Sequence, residues 1–211
     1  LLKGGSTVAI KWTATDVNFG SNPIAIHYSS NGGSTWTSIT ASQANSGTYN
    51  WSVPLIDSSD VYVRISSTDL AGNNSSVSSS SPFTIDSSAP SVTLTSLTGG
   101  QVIAGNVARS ITWSATDANL GSNPVTVEYS SNSGGAWTSL ATAIANTGTY
   151  TWSVAVADGT HYRVRVKVVD QVGWATIAAS ASDIIVNSDA PSLTQTTLTS
   201  PYVSTGNTVT F

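Results

Sequence analysis

Cysteine is absent from the 211 residues, and charged side chains are scarce. Without thiols the chain can form neither a disulfide nor a cysteine-based metal site, which fits a protein exported without the help of redox chemistry. Charged residues make up 9% of the chain, against about 25% in an average soluble domain. The composition therefore predicts a polar but almost uncharged surface, which is unusual for a cytoplasmic enzyme.

Basic clusters and long apolar runs are also missing. The seven Lys and Arg residues are scattered singly and the net charge is −4, so a nucleic acid would find no electrostatic footing. The longest apolar runs, such as "DIIV", are far shorter than the roughly 20 residues that cross a bilayer. No signal peptide is visible, and the opening "LLKGGST" reads as the middle of a longer protein. We expect no membrane insertion in this segment.

An internal repeat dominates what is present. "WTATDVNFGSNP" begins at Trp12 and "WSATDANLGSNP" begins at Trp113, an offset of 101 residues (113 − 12). The same offset relates Tyr28 in "YSSNGGSTW" to Tyr129 in "YSSNSGGAW". A spacing of about 100 residues that never drifts indicates two copies of one free-standing domain rather than the short units of a solenoid.

Within each copy the hydrophobic pattern has a period of two residues. In "VAIKWTA", for example, Val8, Ile10 and Trp12 share one face, and Trp51 shares a face with Val53 in "TYNWSV". Such alternation, bounded by Gly, Asn, Ser and Pro clusters, is typical of half-buried antiparallel strands. Six or seven strands per hundred residues predict an all-β fold of tandem Ig-like, fibronectin-III-like antiparallel β-sandwiches.

The repeat also predicts the domain boundaries. We expect a first Ig-like repeat over 1–89 that lacks its first strand, a second repeat over 90–190, and the first strand of a third repeat over 191–211. Each boundary precedes a proline, in "DSSAPS" and "NSDAPS". Two interpretations stay open: the chain is a slice of a longer array, or its last strand completes the first repeat of a neighbouring copy by adding to an open sheet edge.

The two copies together resemble the bacterial Ig-like repeats of very long surface and adhesin-type proteins. The resemblance covers almost the whole chain and is carried by "ITWSATD", "GSNPVTVEYSSNSGGAWTS", "NTGTYTWSV", "VYVRISSTDLAGN" and "FTIDSSAP". It implies an extracellular location at the bacterial cell surface. It also implies a non-enzymatic stalk or spacer whose partners are neighbouring repeats or copies of the chain.

One short motif invites an enzymatic interpretation. Ser29-x-Asn31-x-Gly33-x-Thr35-Trp36 is close to the Asp-box hairpin of sialidases, with Asn in place of Asp. A sialidase also needs several arginines for the substrate carboxylate, whereas this chain has four Arg and a single Glu. His27 and His161 are not repeated, and no nucleophile elbow accompanies them. We predict a structural turn at this motif and no catalytic residues.

Some aspartates do recur at the repeat offset, namely Asp16 with Asp117, Asp57 with Asp158, and Asp69 with Asp170. Their first role is to cap turns such as "DLAGN" through their side-chain oxygens. The alternative is calcium at the domain joints, for which Asp16, Asp69, Asp86, Asp117 and Asp170 are the candidate ligands. No other cofactor is expected.

Tryptophans are the remaining candidates for binding. Trp12 and Trp51 are in phase with apolar neighbours, so we expect both in the core, whereas Trp174 stands in a turn where the first copy has Asn73. We expect Trp174 to pack at the joint between domains. The competing function is an adhesion module that binds glycan or protein through Trp174 and the loop Gly20–Pro23.

Overall fold

The computed structural model describes residues 1–194, which form strands and turns without any helix. The first repeat contains β1 (Leu2–Lys3), β2 (Thr7–Lys11), β3 (Phe19–Ser29), β4 (Thr37–Gln43), β5 (Thr48–Ser52), β6 (Ser58–Asp69), β7 (Asn74–Ser78) and β8 (Phe83–Asp86). The second contains β9 (Ser91–Leu94), β10 (Val102–Ala104), β11 (Ala108–Thr116), β12 (Leu120–Ser130), β13 (Thr138–Ile144), β14 (Thr149–Ser153), β15 (Gly159–Asp170), β16 (Ala175–Ala179) and β17 (Ile184–Asn187).

Each repeat is a sandwich of two sheets. In the first, the larger sheet has the order β1-β8-β6-β3-β4, with β7 also paired to β6, and the smaller sheet is β2-β5. The second repeat has the same larger sheet, β10-β17-β15-β12-β13 with β16 on β15, and a smaller sheet of order β14-β11-β9. Pairing is antiparallel except between β1 and β8 and between β10 and β17. The predicted all-β fold of tandem Ig-like sandwiches is confirmed.

The period-two pattern explains the strand pairing. In the first repeat Val8 lies opposite Trp51 and Ile10 opposite Tyr49, so the apolar side chains of both strands fall on one face. The intervening Ala9 is exposed. The same register recurs in the second repeat, where Ile111 lies opposite Tyr150.

The two repeats bury separate cores. The first is built around Trp51, Val53, Val61 and Ile85. The second is larger, and its members include Leu94 and Leu97, which lie in and just after β9. Within the described residues no counterpart of β9 exists in the first repeat, so its core lacks these two contributions.

The absence of that strand changes the position of Trp12. In the second repeat, Trp113 pairs with Leu94 of β9 and keeps 4% of its surface exposed. Its counterpart Trp12 is only half-buried, so the prediction that Trp12 lies in the core is wrong. The reason is tertiary, because β9 of the second repeat lies beside Trp113, and the described residues of the first repeat contain no equivalent strand.

The joint between the sandwiches is short. β8 ends at Asp86 and β9 begins at Ser91, with the buried Pro90 just before it. The predicted first strand of a third repeat, over 191–211, falls almost entirely outside the described residues and stays a prediction. Over residues 1–194, no helix is long and apolar enough to span a membrane.

Candidate functional site

The segment that leaves the first repeat is fixed by an aspartate from the loop before β6. The Asp57 carboxylate accepts hydrogen bonds from the Ser87 amide and the Ser88 hydroxyl, both at 2.6 Å. These bonds lower the pKa of Asp57 below its ordinary value, and the bond from the Ser88 hydroxyl has the largest effect. Asp158 holds Ser188 in the same way at the end of the second repeat, and its pKa is also lowered.

A turn of the second repeat contacts this segment. At the end of β15, the Asp170 Oδ1 atom accepts hydrogen bonds from the amides of Val172 and Trp174, both at 2.9 Å. The Trp174 indole Nε1–H then donates to the main-chain oxygen of Asp86 at 3.3 Å. The Lys3 ammonium lies 4.0 Å from the centre of the Trp174 ring, which is a cation–π distance. The prediction that Trp174 packs at the joint is confirmed.

The equivalent turn in the first repeat differs at one position. There the Asp69 Oδ1 atom binds the amides of Ala71 and Asn73, and the Asn73 side-chain amide donates to Asp69 Oδ2 at 2.8 Å. Trp174 replaces this asparagine and has no side-chain amide to donate to Asp170 Oδ2. Asp170 Oδ2 is accordingly buried without a hydrogen-bond partner among the described residues.

A second loop of the second repeat lies beside this turn. The Asp117 Oδ1 atom accepts a hydrogen bond from the Asn119 amide at 2.6 Å. A bond from an aspartate side chain to the amide two residues later closes a compact turn. The main-chain oxygen of Asn119 accepts a hydrogen bond from the Gln171 amide at 3.1 Å. The two loops are therefore linked, and both face the end of the first repeat.

The result is a group of three carboxylates, Asp86, Asp117 and Asp170, which we call the joint cluster. One carboxylate oxygen from each lies within 4.8 Å of the others. Asp86 and Asp170 are 2% and 7% exposed, and Oδ2 of both has no hydrogen-bond partner among residues 1–194. The ion pairs in this range, Arg163–Asp183 and Arg165–Glu128, do not involve the cluster.

The electrostatics of the joint cluster oppose full ionisation. Burial raises the pKa of Asp86, and the negative charges of Asp170 and Asp117 raise it further. The Ser88 amide and the Asn119 side chain act in the opposite direction. Asp86 therefore retains its proton to a higher pH than an ordinary aspartate.

The structure places the five predicted ligands in two groups. Asp86, Asp117 and Asp170 come together, whereas Asp16 and Asp69 lie elsewhere. Because Ser58 at the start of β6 pairs with Ile85, Asp86 lies near one end of β6 and Asp69 lies at the other. Asp16 and Asp69 form the same two turns as Asp117 and Asp170, but within the described residues no third carboxylate joins them.

The Asp-box-like motif is a closed turn. The Ser29 hydroxyl accepts a hydrogen bond from the Gly33 amide at 2.9 Å, and the Asn31 Oδ1 atom accepts one from the Thr35 amide at 3.0 Å. Gly33 has a φ of 85°, which suits glycine. The Trp36 ring lies under the Arg64 guanidinium at 4.2 Å. The Ser29 and Asn31 side chains are engaged within the turn itself, and Trp36 packs against Arg64 of β6. The prediction of a structural turn at this motif is confirmed.

The predicted loop Gly20–Pro23, the other part of the competing binding site, lies instead within β3, where the pairing with β6 is irregular between Phe19 and Ile24. This segment borders an open cleft. Ala41, Ser42 and Asp69 line it as well. Trp174 is in contact with Asp86 and Lys3 rather than with this loop. The two predicted parts of that binding surface therefore do not form one site within residues 1–194.

Comparison with known proteins yields structural similarity only. No protein-family model matches the sequence, and a search of curated proteins finds no significant match. The chain is similar to the fibronectin(III)-like modules of Clostridium thermocellum CbhA, with 17% identity, 93% of this chain and 94% of that one covered, and a TM-score of 0.45.

Two further solved structures are similar. One is a tetra-tandem repeat from the extending region of a large adhesion protein, with 20% identity, 81% of this chain covered and a TM-score of 0.37. The other comprises the FN1–FN3 domains of chicken CNTN1, with 18% identity, 90% of this chain covered and a TM-score of 0.40. This chain spans 43% of the former and 65% of the latter. The strand order described above itself defines both repeats as Ig-like sandwiches.

Proposed function

We propose that this chain is a non-catalytic spacer, in which Ig-like repeats in series extend a large extracellular protein of the bacterial cell surface. The observation that supports this most directly is the contact across the joint. Trp174 of the second repeat donates to the Asp86 carbonyl of the first, and Lys3 covers its ring. Contacts of this kind favour one relative orientation of the two sandwiches. A spacer needs such a fixed orientation so that its length grows with the number of repeats.

The connecting segment contributes to the same role. Four residues separate β8 from β9, and Pro90 among them fixes its own φ angle. Asp57 binds the first two residues of the segment. A short, hydrogen-bonded joint of this kind limits bending far more than a flexible Gly/Ser linker does.

Small-angle scattering of the purified chain tests the spacer. We expect an elongated particle whose profile fits one orientation of two sandwiches, together with no dose-dependent signal on a glycan array. A profile that requires a broad ensemble of orientations would contradict the spacer. Saturable binding to one glycan class would favour the competing adhesion function instead.

A second candidate function, head-to-tail assembly of copies, is supported by the uncovered edge in the first repeat. A groove of about 260 Å³ is lined by Trp12–Thr15, Ile24 and Val77, among others. In the second repeat, the counterpart of Trp12–Thr15 is Trp113–Thr116, and β9 occupies that edge. The segment after Pro191, "SLTQTTLTS", aligns without a gap with "SVTLTSLTG" after Pro90, the segment that contains β9. A second copy could therefore add this strand to the groove.

Light scattering tests the assembly. We expect the intact chain to form oligomers that grow with concentration, and a variant that lacks residues 192–211 to stay monomeric. A peptide of residues 191–204 should dissociate the oligomers, whereas a scrambled peptide of the same composition should not. A monomeric intact chain at all concentrations would contradict assembly and leave the spacer function untouched.

A further inference from the structure

We propose that the joint cluster, formed by Asp86, Asp117 and Asp170, is a binding site for a single calcium ion that ties the two repeats together. The site would stiffen the joint of the proposed spacer, but its existence does not depend on that function. Two repeats contribute to it, because Asp86 ends the first repeat and the other two carboxylates belong to the second.

The spacing of the oxygens fits one cation. Calcium binds oxygen ligands at about 2.3–2.6 Å, so two oxygens on the same ion are at most about 5 Å apart. The three carboxylates each offer an oxygen within 4.8 Å of the others. Carboxylates without a shared ion repel each other at such distances, most strongly where water is excluded.

Unsatisfied oxygens provide an independent argument. Asp86 and Asp170 are 98% and 93% buried, as their exposures of 2% and 7% imply. Their Oδ1 atoms are engaged by the amides of Ser88 and of Val172 and Trp174, respectively. Their Oδ2 atoms have no partner among the described residues. A buried carboxylate oxygen is normally hydrogen-bonded or bound to a metal, since leaving it unpaired is costly.

The comparison between the repeats shows why Asp170 Oδ2 has no hydrogen-bond partner among the described residues. In the turn of the first repeat, the Asn73 amide satisfies Asp69 Oδ2. In the second repeat, Trp174 stands in its place, and Asp170 Oδ2 is left unpaired. The indole instead binds the Asp86 main chain, which brings a third carboxylate to the turn. One substitution thus both frees an oxygen and positions the first repeat against it.

The ligand set selects the type of cation. Carboxylate oxygens are hard ligands that suit Ca²⁺ and Mg²⁺ rather than zinc or copper, and no cysteine is present to favour a softer metal. Calcium tolerates irregular geometry and mixed protein and water ligands, whereas Mg²⁺ requires a near-ideal octahedron. Extracellular calcium modules typically bind with a Kd of about 10⁻⁴–10⁻³ M, and we expect this range here.

Calorimetric titration with CaCl₂ and two-dimensional NMR of the whole chain test the site. We expect saturable binding of one ion, with magnesium at least about tenfold weaker. Among the seven Trp residues, the Trp174 indole resonance should shift most, because its N–H contacts the Asp86 main chain. Sodium chloride at equal ionic strength is the control for simple charge screening. Equal responses to CaCl₂ and NaCl would overturn the proposal.

A variant that introduces the residue found at the equivalent position of the other repeat makes the test more specific. Asp86→Asn introduces the residue found at the equivalent Asn187, so it should fold and should weaken calcium binding at least about tenfold. Asp170→Asn should do the same. The matched control is Asp69→Asn, which changes the equivalent turn in the first repeat and should leave binding unchanged. If Asp69→Asn weakens binding as much as Asp170→Asn, or if Asp86→Asn has no effect, the joint cluster is not the site.

Discussion

The Trp174 indole N–H donates to the main-chain oxygen of Asp86 at 3.3 Å, across the joint between the two repeats. The two residues are 88 positions apart in the chain, and their repeat counterparts are Asn73 and Asn187. Because Asn73 has no indole N–H, the contact depends on Trp174 itself and is not encoded in both copies of the repeat. It places an aromatic side chain, an ammonium group and three carboxylates at one point of the molecule.

Replacing Trp174 with the residue of the sister repeat should uncouple the sandwiches. In Trp174→Asn the turn should persist, because Asn73 makes the same turn with Asp69. The thermal stability of the second repeat should change little, because Trp174 is not part of that repeat's core. The cross-joint hydrogen bond and the cation–π contact would be lost. Small-angle scattering should then show a wider range of orientations. Calcium affinity should also fall, because the new amide can bind Asp170 Oδ2.

Trp137→Phe is a matched control for that variant. It alters another half-buried tryptophan of the second repeat that lies under an arginine, here Arg165 at 4.2 Å. Trp137 is at the opposite end of β12 from the joint, because Thr138 pairs with Tyr129 whereas Leu120 pairs with Asp170. Its scattering profile should equal that of the wild type. If Trp174→Asn also scatters like the wild type, the contact does not set the orientation of the repeats.

Asp86→Asn should stabilise the chain when metal is removed by a chelator. The folded-state pKa of Asp86 is raised above its ordinary value of 3.8, so the native state binds more protons than the unfolded state just above that pH. Stability must therefore fall as the pH rises through the interval above 3.8. The asparagine removes this loss. At neutral pH we expect Asp86→Asn to have a higher melting temperature than the wild type, by about 4–8 °C for each kcal/mol added to the free energy of unfolding.

The same variant should respond oppositely in calcium. There the wild-type carboxylates are neutralised by the ion, and the variant lacks a ligand, so the wild type should gain stability while Asp86→Asn does not. Melting curves with chelator and with CaCl₂, recorded at one ionic strength, separate the two effects. A lower melting temperature for Asp86→Asn in both conditions would show that the carboxylate has a purely structural role.

Acid should loosen both segments that follow the last strands of the repeats. Asp57 and Asp158 have pKa values below 3.8, mainly because of hydrogen bonds from Ser88 and Ser188, respectively. The stability that these bonds give is fully present above 3.8 and is lost as the pH falls through the lowered values. We expect Asp57→Asn to have a flatter acid branch of melting temperature against pH.

The exposed carboxylate Asp189 supplies the comparison for Asp57. Asp189→Asn removes one negative charge near a joint segment without removing the bonds to Ser87 and Ser88. It should reproduce the wild-type acid branch. Identical curves for Asp57→Asn and the wild type would mean that solvent screening leaves these exposed bonds with no net effect.

The missing counterpart of β9 should make equivalent core positions unequal. Ile111 is fully buried, whereas Ile10, its counterpart 101 residues earlier (111 − 10), is half-buried. Ile111→Ala should destabilise the second repeat by about 2–5 kcal/mol, the usual cost of such a cavity. Ile10→Ala should cost clearly less, because solvent already reaches that side chain. Urea unfolding of both variants measures the difference, and equal costs would mean that Ile10 is as well covered in solution as Ile111.

The fold followed from local patterns. Alternation at Val8, Ile10 and Trp51 predicts the paired strands, and the Ser29–Trp36 motif predicts its own turn, because both depend on residues that are close in the chain or in the register of one hairpin. The constant offset of 101 residues (113 − 12) predicts that both copies adopt the same fold. These predictions required no knowledge of how the sandwiches meet.

The joint required the tertiary structure. The sequence singled out Trp174 and the five aspartates, yet it could not group Asp86 with Asp117 and Asp170 and leave Asp16 and Asp69 apart. Those three are widely spaced along the chain, and their proximity depends on the orientation of one folded sandwich against another. Likewise, Trp12 has the pattern of a core residue, but its burial depends on a neighbouring strand like β9, which the described residues of the first repeat lack. Periodicity records which face of a strand is apolar, whereas only packing decides what covers that face.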